Sequence, residues 1–379
     1  MDANYSLDDL QKGLDALGAL GELSTKEQYL QCIKHLEAMS TLWKHLSVDN
    51  YGGLLKNILW VSKEFGLTKE GLNWMDRFYP AYEKRYPHSN HDKAQIHEVW
   101  ALLHIRNNDE ASAYAHLKKH AYHSFVDNVD YNGFEFFSFR TFTPYALNDV
   151  RNNTLSFSHP RQFNDPMDTL LFHWNNHCLS EETDDELRRV RFLLQKVYDH
   201  LKVRCFVRNS RLPRDGGKTD LQQLIHNPQN IEDVNPIMWA HYANYHKGFC
   251  VKYCFPTNVL RTLDSSSLIC TRVGSVRYNQ PMNMEEKDRL SIDEALFVKS
   301  NYWEYENEVR VVHYDPNCHE DYKLIELPED CISSIYLGLK CSDHDREDMQ
   351  LILRDKAIPL YQMKIAKEDN FKLVAERIS

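Results

Sequence analysis

The sequence has no long apolar run, no signal core and no paired-cysteine motif. No apolar stretch in the 379 residues is long enough to cross a bilayer, and Met1–Leu10 is polar and acidic. The nine cysteines are scattered without a CxxC pair, as is typical of reduced thiols in a reducing compartment. These absences predict a cytoplasmic protein with neither a membrane anchor nor a disulfide framework.

Positive charge is also scarce. The chain has 45 lysines and arginines against 55 aspartates and glutamates, a formal net charge of −10. The surface as a whole therefore does not attract phosphate backbones, and a nucleic-acid acceptor is not indicated by charge. A local basic cleft is still compatible with a dinucleotide. The apolar content of 42% is ordinary for a globular protein, and the length predicts two domains.

The first part of the chain has helical periodicity and almost no strand signal. Leu30, Ile33 and Leu36 recur at spacings that place them on one helix face. Short helices on either side of the polar turn Asn107–Asp109 favour helical hairpins of the tetratricopeptide kind, and a plain helical bundle explains the same pattern. We expect residues 1–127 to form a helical domain that binds a partner protein or forms a homo-oligomer.

Three histidines follow a helical spacing near the end of this part. His116, His120 and His123 lie at i, i+4 and i+7, an arrangement that can ligate a metal. No carboxylate or cysteine close in sequence completes the set. The pattern therefore predicts a solvated helix face, and no metal is expected anywhere in the chain.

Beyond the turn-rich linker Asp127–Gly133, short strands alternate with helices. Few of them have the spacing of parallel crossovers, so residues 131–379 are predicted to form an α+β domain with a mixed, largely antiparallel sheet. Limited proteolysis is expected to release a fragment beginning near Tyr131. The predicted strands include Phe134–Phe139, Phe249–Phe255, Arg272–Tyr278, Tyr305–His313, Ile332–Leu337 and Ile358–Ile365.

Two blocks of this domain suggest a nucleotide site. Arg140 ends the first strand just before a helix that starts at Thr143-Pro144, and such a position is suited to an anion. An ordinary surface arginine explains the same pattern. In the aromatic block Met238–Phe249, a helical stripe with Tyr245 is predicted to be core, and His241 lies off that stripe, where it can hydrogen-bond a ribose or a base.

A third block, Lys299–Arg310, is rich in carboxylates. Read as a strand, it places Glu304, Glu306, Glu308 and Arg310 on one face. A solvated edge strand explains this pattern. An active site explains it equally well, because clustered carboxylates stabilise an oxocarbenium-like transition state.

These blocks resemble a widespread bacterial family of unknown function. The likeness extends from about Phe134 to Ile365 and leaves out the helical part. The sequence segments that carry the likeness are Phe163–Asp168, Met238–Tyr242 with Gly248, and Lys299 followed by Trp303–Arg310.

More distantly, the domain resembles the ADP-ribosyltransferase fold. In that family an arginine on the first strand and a late Glu-x-Glu hold and cleave NAD, and here Arg140 and Glu306-Asn307-Glu308 match those positions. That fold also has a serine or tyrosine motif in a middle position, between the first strand and the late glutamates. Two pairs fit that motif here, Ser156 with Ser158 and His241 with Tyr242.

The likeness implies an enzyme that cleaves the nicotinamide–ribose bond of NAD and passes ADP-ribose to an unknown macromolecular acceptor. It implies that Glu308 stabilises the ribosyl cation, Glu306 orients or deprotonates the acceptor, and Arg140 binds the pyrophosphate within reach of both glutamates. Tyr242 or Trp239 would stack on a ring. The alternatives are an NAD glycohydrolase and a non-catalytic module that senses a nucleotide and binds a protein.

Overall fold

A computed structural model describes residues 5–20, 24–126, 134–165, 168, 185–208, 230–255, 258–260, 263–279 and 296–378. The predicted linker Asp127–Gly133 lies outside these residues. The chain divides into two compact units, one formed by residues 1–124 and 177–198 and the other by residues 125–176 and 199–379. Among the described residues, no helix has both the length and the apolar character needed to cross a membrane.

The first unit is helical, as predicted. Three of its helices begin at well-formed caps, since Ser6, Thr25 and Ser47 each accept the backbone N–H three residues on. Its helices are α1 (Leu7–Gly18), α2 (Lys26–Ala38), α3 (Val48–Glu64), α4 (Thr68–Arg85), α5 (Asn90–Arg106), α6 (Glu110–Phe125) and, from later in the chain, α8 (Asp185–Tyr198), with a 3-10 helix at Ser40–His45.

Helix α8 belongs to this helical unit, although its sequence position lies within the predicted second domain. It packs on α5, and Arg106 Nε donates to Glu186 at 2.6 Å while Arg189 Nε donates to Glu110 at 3.0 Å. A fragment that begins near Tyr131 would therefore keep α8 and lose the helix on which it packs.

The histidine face of α6 is not solvated, and that prediction is wrong. His123 is buried, while His116 and His120 are half-buried. His120 Nδ1 lies 2.9 Å from the Ala94 carbonyl oxygen of α5, and the His116 ring stacks on Trp100. The face packs inward because α5 offers both aromatic surface and hydrogen-bond partners.

The second unit is the predicted mixed, largely antiparallel sheet. Its strands are β1 (Phe134–Arg140), β2 (Thr154–Ser158), β3 (Leu201–Val207), β4 (Phe249–Phe255), β5 (Leu263–Asp264), β6 (Ile269–Ser275), β7 (Arg277–Asn279), β8 (Val298–Ser300), β9 (Glu308–Tyr314), β10 (Tyr322–Glu326), β11 (Ile332–Leu337), β12 (Leu360–Ile365) and β13 (Leu373–Arg377). Its helices are α7 (Pro144–Asn152), α9 (Ile237–Tyr242) and α10 (Asp343–Leu353). Its 3-10 turns are Pro160–Gln162, Ile231–Asp233, Asn258–Leu260, Asn301–Glu306 and Glu329–Cys331.

Within the described residues, eleven of these strands form one sheet. The main order is β13-β12-β11-β4-β1-β3-β9-β6-β5, with β2 pairing with β3 and β10, and β7 and β8 form a separate parallel pair. In the large sheet β11 and β12 pair in parallel, and the other pairs are antiparallel. Sequence alternation therefore sorts each strand's side chains onto two faces.

The two faces of this sheet have separate cores. The first face carries Phe134 and Phe136 and is covered by α7 and α10. The second face carries Phe137 and Phe139 and is covered by α9. Gly248, just before β4, must be glycine, because an added Cβ would lie 2.2 Å from the Arg140 carbonyl oxygen.

Candidate functional site

Glu306 and Glu308 lie on either side of a sharp change in backbone direction. Asn301–Glu306 is a 3-10 helix capped by the Ser300 hydroxyl, and Asn307 then adopts a left-handed conformation with φ of 49°. Strand β9 begins only at Glu308. The prediction of one strand through Tyr305–His313 is therefore wrong at its start. Residues up to Glu306 form the capped 3-10 helix, and Asn307, a residue type suited to positive φ, separates that helix from β9.

The two glutamates still converge, and they do so on two buried cations. Lys299 Nζ lies 2.6 Å from Glu306 Oε2 and 3.3 Å from Glu308 Oε2. Arg310 donates from Nε to Glu308 at 2.8 Å and from its terminal nitrogen to Asp168 at 2.6 Å. We call these five residues the ionic cluster. With all five ionised, three carboxylates outnumber two cations, so the cluster has one excess negative charge.

Burial and pairing act in opposite directions in this cluster. Burial alone would raise the pKa of Glu308, but Arg310 and Lys299 outweigh it and lower that pKa. Burial and the charge of Glu308 raise the pKa of Glu306, against the influence of Lys299. The carboxylates also raise the pKa of Lys299, although burial opposes them. Of the two glutamates, Glu306 is thus the one whose proton affinity is increased.

Tyrosines and an arginine hold this arrangement from outside. The Tyr242 hydroxyl of α9 donates to Glu306, and the Glu308 backbone N–H donates to the Tyr278 hydroxyl at 2.8 Å. Arg208 Nε donates to Asn307 Oδ1 at 2.9 Å, which supports the left-handed residue between the glutamates. Each buried carboxylate therefore has charged or hydroxyl partners, as buried charges require.

A cavity of about 830 Å³ lies beside the 3-10 helix, and its described lining contains residues of that helix but no member of the ionic cluster. Its lining includes Tyr305 and Asn307, which flank Glu306 in sequence, together with the half-buried Glu304. Tyr305 Oη lies 3.2 Å from His241 Nδ1. The charged residues of the lining are Glu232, Asp233, Glu304, Asp369 and Lys372, so the cavity is acidic. Its electrostatics favour a cationic group.

Helix α9 supplies the aromatic block, but it is shorter than the predicted helix. It ends at Tyr242, and Tyr245 has a φ of 55° and is 71% exposed, so the prediction of Tyr245 as core is wrong. Trp239 is buried edge-on against Phe139, with ring centroids 5.0 Å apart, and only part of it borders the cavity. His241, also on α9, contacts Tyr305 of the cavity lining.

Arg140 does not face the glutamates, and the prediction that it lies within their reach is wrong. Strand register joins Phe137 to Val207 and Val207 to Glu308, so these three side chains share the second face. Arg140, three residues after Phe137, points to the first face and donates to Asp149 at 3.0 Å. A buried acid on α7 thus fills the expected anion site.

The two serines predicted for the middle position lie apart from the cluster as well. Ser156 Oγ donates to the same Asp149 carboxylate at 2.8 Å, and Ser158 ends β2, where it pairs with Val203 and Tyr322. Of the two open alternatives for the middle position, Tyr242 is the residue that contacts a predicted catalytic glutamate.

The sequence alone suggested no chemical role for three members of the ionic cluster, namely Lys299, Arg310 and Asp168. All three lie within the segments that carry the family resemblance. The available signal is the charge in two of the three segments, Phe163–Asp168 and Lys299 with Trp303–Arg310, whose charged residues include buried ones. Asp168 and Arg310 are 142 residues apart, so nothing local linked them.

Of three comparisons with known proteins, one gives a match and two give none. The family model described as "Protein of unknown function (DUF2971)" matches residues 238–311. No curated protein and no solved structure matches the chain. The matched segment includes Tyr242, Lys299, Glu306, Glu308 and Arg310 and stops short of Arg140 and Asp168. The segment that contributes most of the ionic cluster is therefore similar to a family of unknown function.

Proposed function

We propose that the α+β unit is an ADP-ribosyltransferase-like enzyme that cleaves the nicotinamide–ribose bond of NAD and transfers ADP-ribose to a macromolecular acceptor. The observation that carries the proposal is the ionic cluster, with its excess negative charge, near a cavity whose acidic and aromatic lining suits the cationic nicotinamide ring of NAD and not its pyrophosphate. The Glu306-Asn307-Glu308 resemblance supplies the reaction class.

The chemistry follows from where charge develops. When the bond between the ribose C1′ and the nicotinamide nitrogen breaks, its electron pair leaves with nicotinamide and the ribose becomes cationic. A buried carboxylate of the ionic cluster, held in a site with little water, would stabilise that cation more than bulk water does. The acceptor then adds its lone pair to C1′ and releases one proton, and Glu306, whose pKa is raised, is suited to take it.

The contacts of the two glutamates favour roles different from those that the family resemblance implies. Glu308 is held by both Arg310 and Lys299 and is a positioning residue in this proposal. Glu306 is held by Lys299 and the Tyr242 hydroxyl, and its pKa is raised. Its sequence neighbours Tyr305 and Asn307 line the cavity, and in this proposal Glu306 is the glutamate assigned to the ligand. Arg140 has no part in the reaction, because Asp149 occupies its guanidinium on the other face.

The test is release of nicotinamide from labelled NAD, with mass spectrometry of candidate protein acceptors. Glu306→Gln keeps the side chain's size and removes its charge, and we expect nicotinamide release to fall roughly 10²–10³-fold. Glu326→Gln is the matched control, since Glu326 is exposed on β10, away from the cluster. It should react like the wild-type chain.

The outcomes separate three functions. Transfer of labelled ADP-ribose to a protein supports the proposal, and nicotinamide release without any transfer indicates the NAD glycohydrolase. NAD binding by calorimetry with no product in any variant indicates the non-catalytic sensor. A chain that neither binds NAD nor releases nicotinamide overturns the NAD assignment. Full turnover in Glu306→Gln, with loss only in Glu308→Gln, would restore the roles that the family resemblance implies.

A further inference from the structure

Three consecutive helices of the helical unit bring a carboxylate and two imidazoles to one point. Glu83 comes from α4, His97 from α5 and His123 from α6, and one ligand-type atom of each lies within 4.8 Å of the other two. With zinc–nitrogen bonds of about 2.0–2.1 Å, the ligand atoms of a tetrahedral site are roughly 3.3 Å apart. A small inward movement of the side chains is enough to reach that spacing.

The contacts of His123 leave one of its ring nitrogens able to bind a metal. His123 Nδ1 lies 3.0 Å from the side-chain oxygen of Asn90. That oxygen only accepts, so Nδ1 carries the proton and Nε2 keeps its lone pair. Such an outer hydrogen bond is typical of metal-binding histidines.

His97 connects the site to two further groups. Its Nε2 lies 2.9 Å from the Tyr79 hydroxyl, and its Nδ1 lies 2.9 Å from His116 Nδ1. A neutral imidazole has one lone pair, so a bound metal would replace one of these contacts. His116, through this contact with His97, is a candidate fourth ligand.

We propose that Glu83, His97 and His123 form a binding site for a divalent transition-metal ion, with zinc the ion that the ligand set fits best. Glu83 is essential to it for an electrostatic reason. Lys93 and Lys119 act on His123 as neighbouring positive charges, and a dication needs a carboxylate to offset them. Glu83 is half-buried, so the site has an approach from solvent. This proposal is independent of the function proposed for the α+β unit.

The experiment titrates the full-length, tag-free chain with zinc after treatment with a chelator. Competition with a chromophoric chelator gives the affinity, elemental analysis gives the stoichiometry, and the absorption of bound cobalt reports a tetrahedral nitrogen and oxygen environment. We expect one tight ion per chain. Glu83→Gln and His123→Asn should each weaken binding by at least about 100-fold. Asparagine at 123 can keep the bond to Asn90 while removing Nε2.

Matched controls separate this site from scattered weak binding by a chain with 19 histidines. Glu70→Gln changes an exposed glutamate of the same helix as Glu83, and His120→Asn changes a histidine whose ring contacts Ala94 instead. Both should bind like the wild-type chain, and circular dichroism should show all four variants folded. The proposal fails if the chelated chain takes up no tight zinc. It fails equally if Glu83→Gln and His123→Asn bind zinc as well as the controls do.

Discussion

The two faces of the sheet treat buried charge in opposite ways. On the first face, one carboxylate, Asp149, accepts hydrogen bonds from Arg140, Thr154 and Ser156, and a second arginine, Arg204, lies near it. On the second face, the ionic cluster gathers three carboxylates around two cations. A single carboxylate that is satisfied by cations and hydroxyl groups of the protein itself has a structural role. An excess of one sign beside a cavity is costly to bury, and such an excess is what a charged ligand or transition state can use.

The largest effect should come from breaking the second face. Arg310 is fully buried and pairs with Glu308 and Asp168. Arg310→Met leaves two carboxylates without their main cation and should lower the free energy of unfolding by about 3–5 kcal/mol. The measurement is urea unfolding followed by tryptophan fluorescence.

An exposed ion pair of similar length provides the control for that experiment. Lys364 Nζ lies 2.6 Å from Glu376, and both side chains are at least half exposed. Lys364→Met should cost no more than about 1 kcal/mol. Equal losses for the two variants would mean that the ionic cluster is not buried as described.

A smaller effect should come from the first face. Arg140→Met removes a charged hydrogen bond to Asp149 and should lower stability by about 1.5–3 kcal/mol. It should leave the affinity for NAD unchanged, because Arg140 points away from the cluster. Calorimetry with NAD on the folded variant checks this. A matching loss of NAD affinity would return Arg140 to the nucleotide site and contradict the contrast between the faces.

The smallest effect is a difference in pH dependence. His313 of β9 points to the first face, and burial, with a contribution from Lys323, lowers its pKa from 6.5 to about 4. The unfolded chain then takes up a proton that the folded chain does not. His313 therefore makes stability fall by about 1.4 kcal/mol per pH unit as the pH drops from 6.5 towards 4.

The variant His313→Asn isolates that contribution, because Asn has no titrating group and can still contact Thr271, the partner of His313 Nδ1 at 3.1 Å. The stability difference between wild type and variant should shrink or change sign between pH 7 and pH 5. Glu308, whose pKa is lowered by its cations from 4.5, should add a loss only below that pH, partly offset by the raised pKa of Glu306. A pH-independent difference would show that His313 is not held neutral by burial.

Local patterns were enough for much of the fold. Helical periodicity predicted the helical character of the first unit, and short alternating segments predicted the mixed, largely antiparallel sheet. From Glu308 onward, the alternation along β9 also placed Glu308 and Arg310 opposite Val309 and Val311. These features depend on neighbours in sequence, and a periodicity of 2 or 3.6 residues is a local property.

Only the tertiary structure decided which charges meet. The order of strand pairing placed Arg140 on one face and the glutamates on the other, and the fold brought Asp168 to Arg310. Packing of the helices likewise joined His123 to Glu83 and His97, which no spacing within α6 revealed. Strand order and helix packing are set by burial summed over distant segments, and no local pattern reveals them. The sequence by itself therefore determined the helices and strands and the chemical groups that each one carries. The partner of each buried charge was decided by the fold, because a charge is paired with whichever group the packed core places beside it.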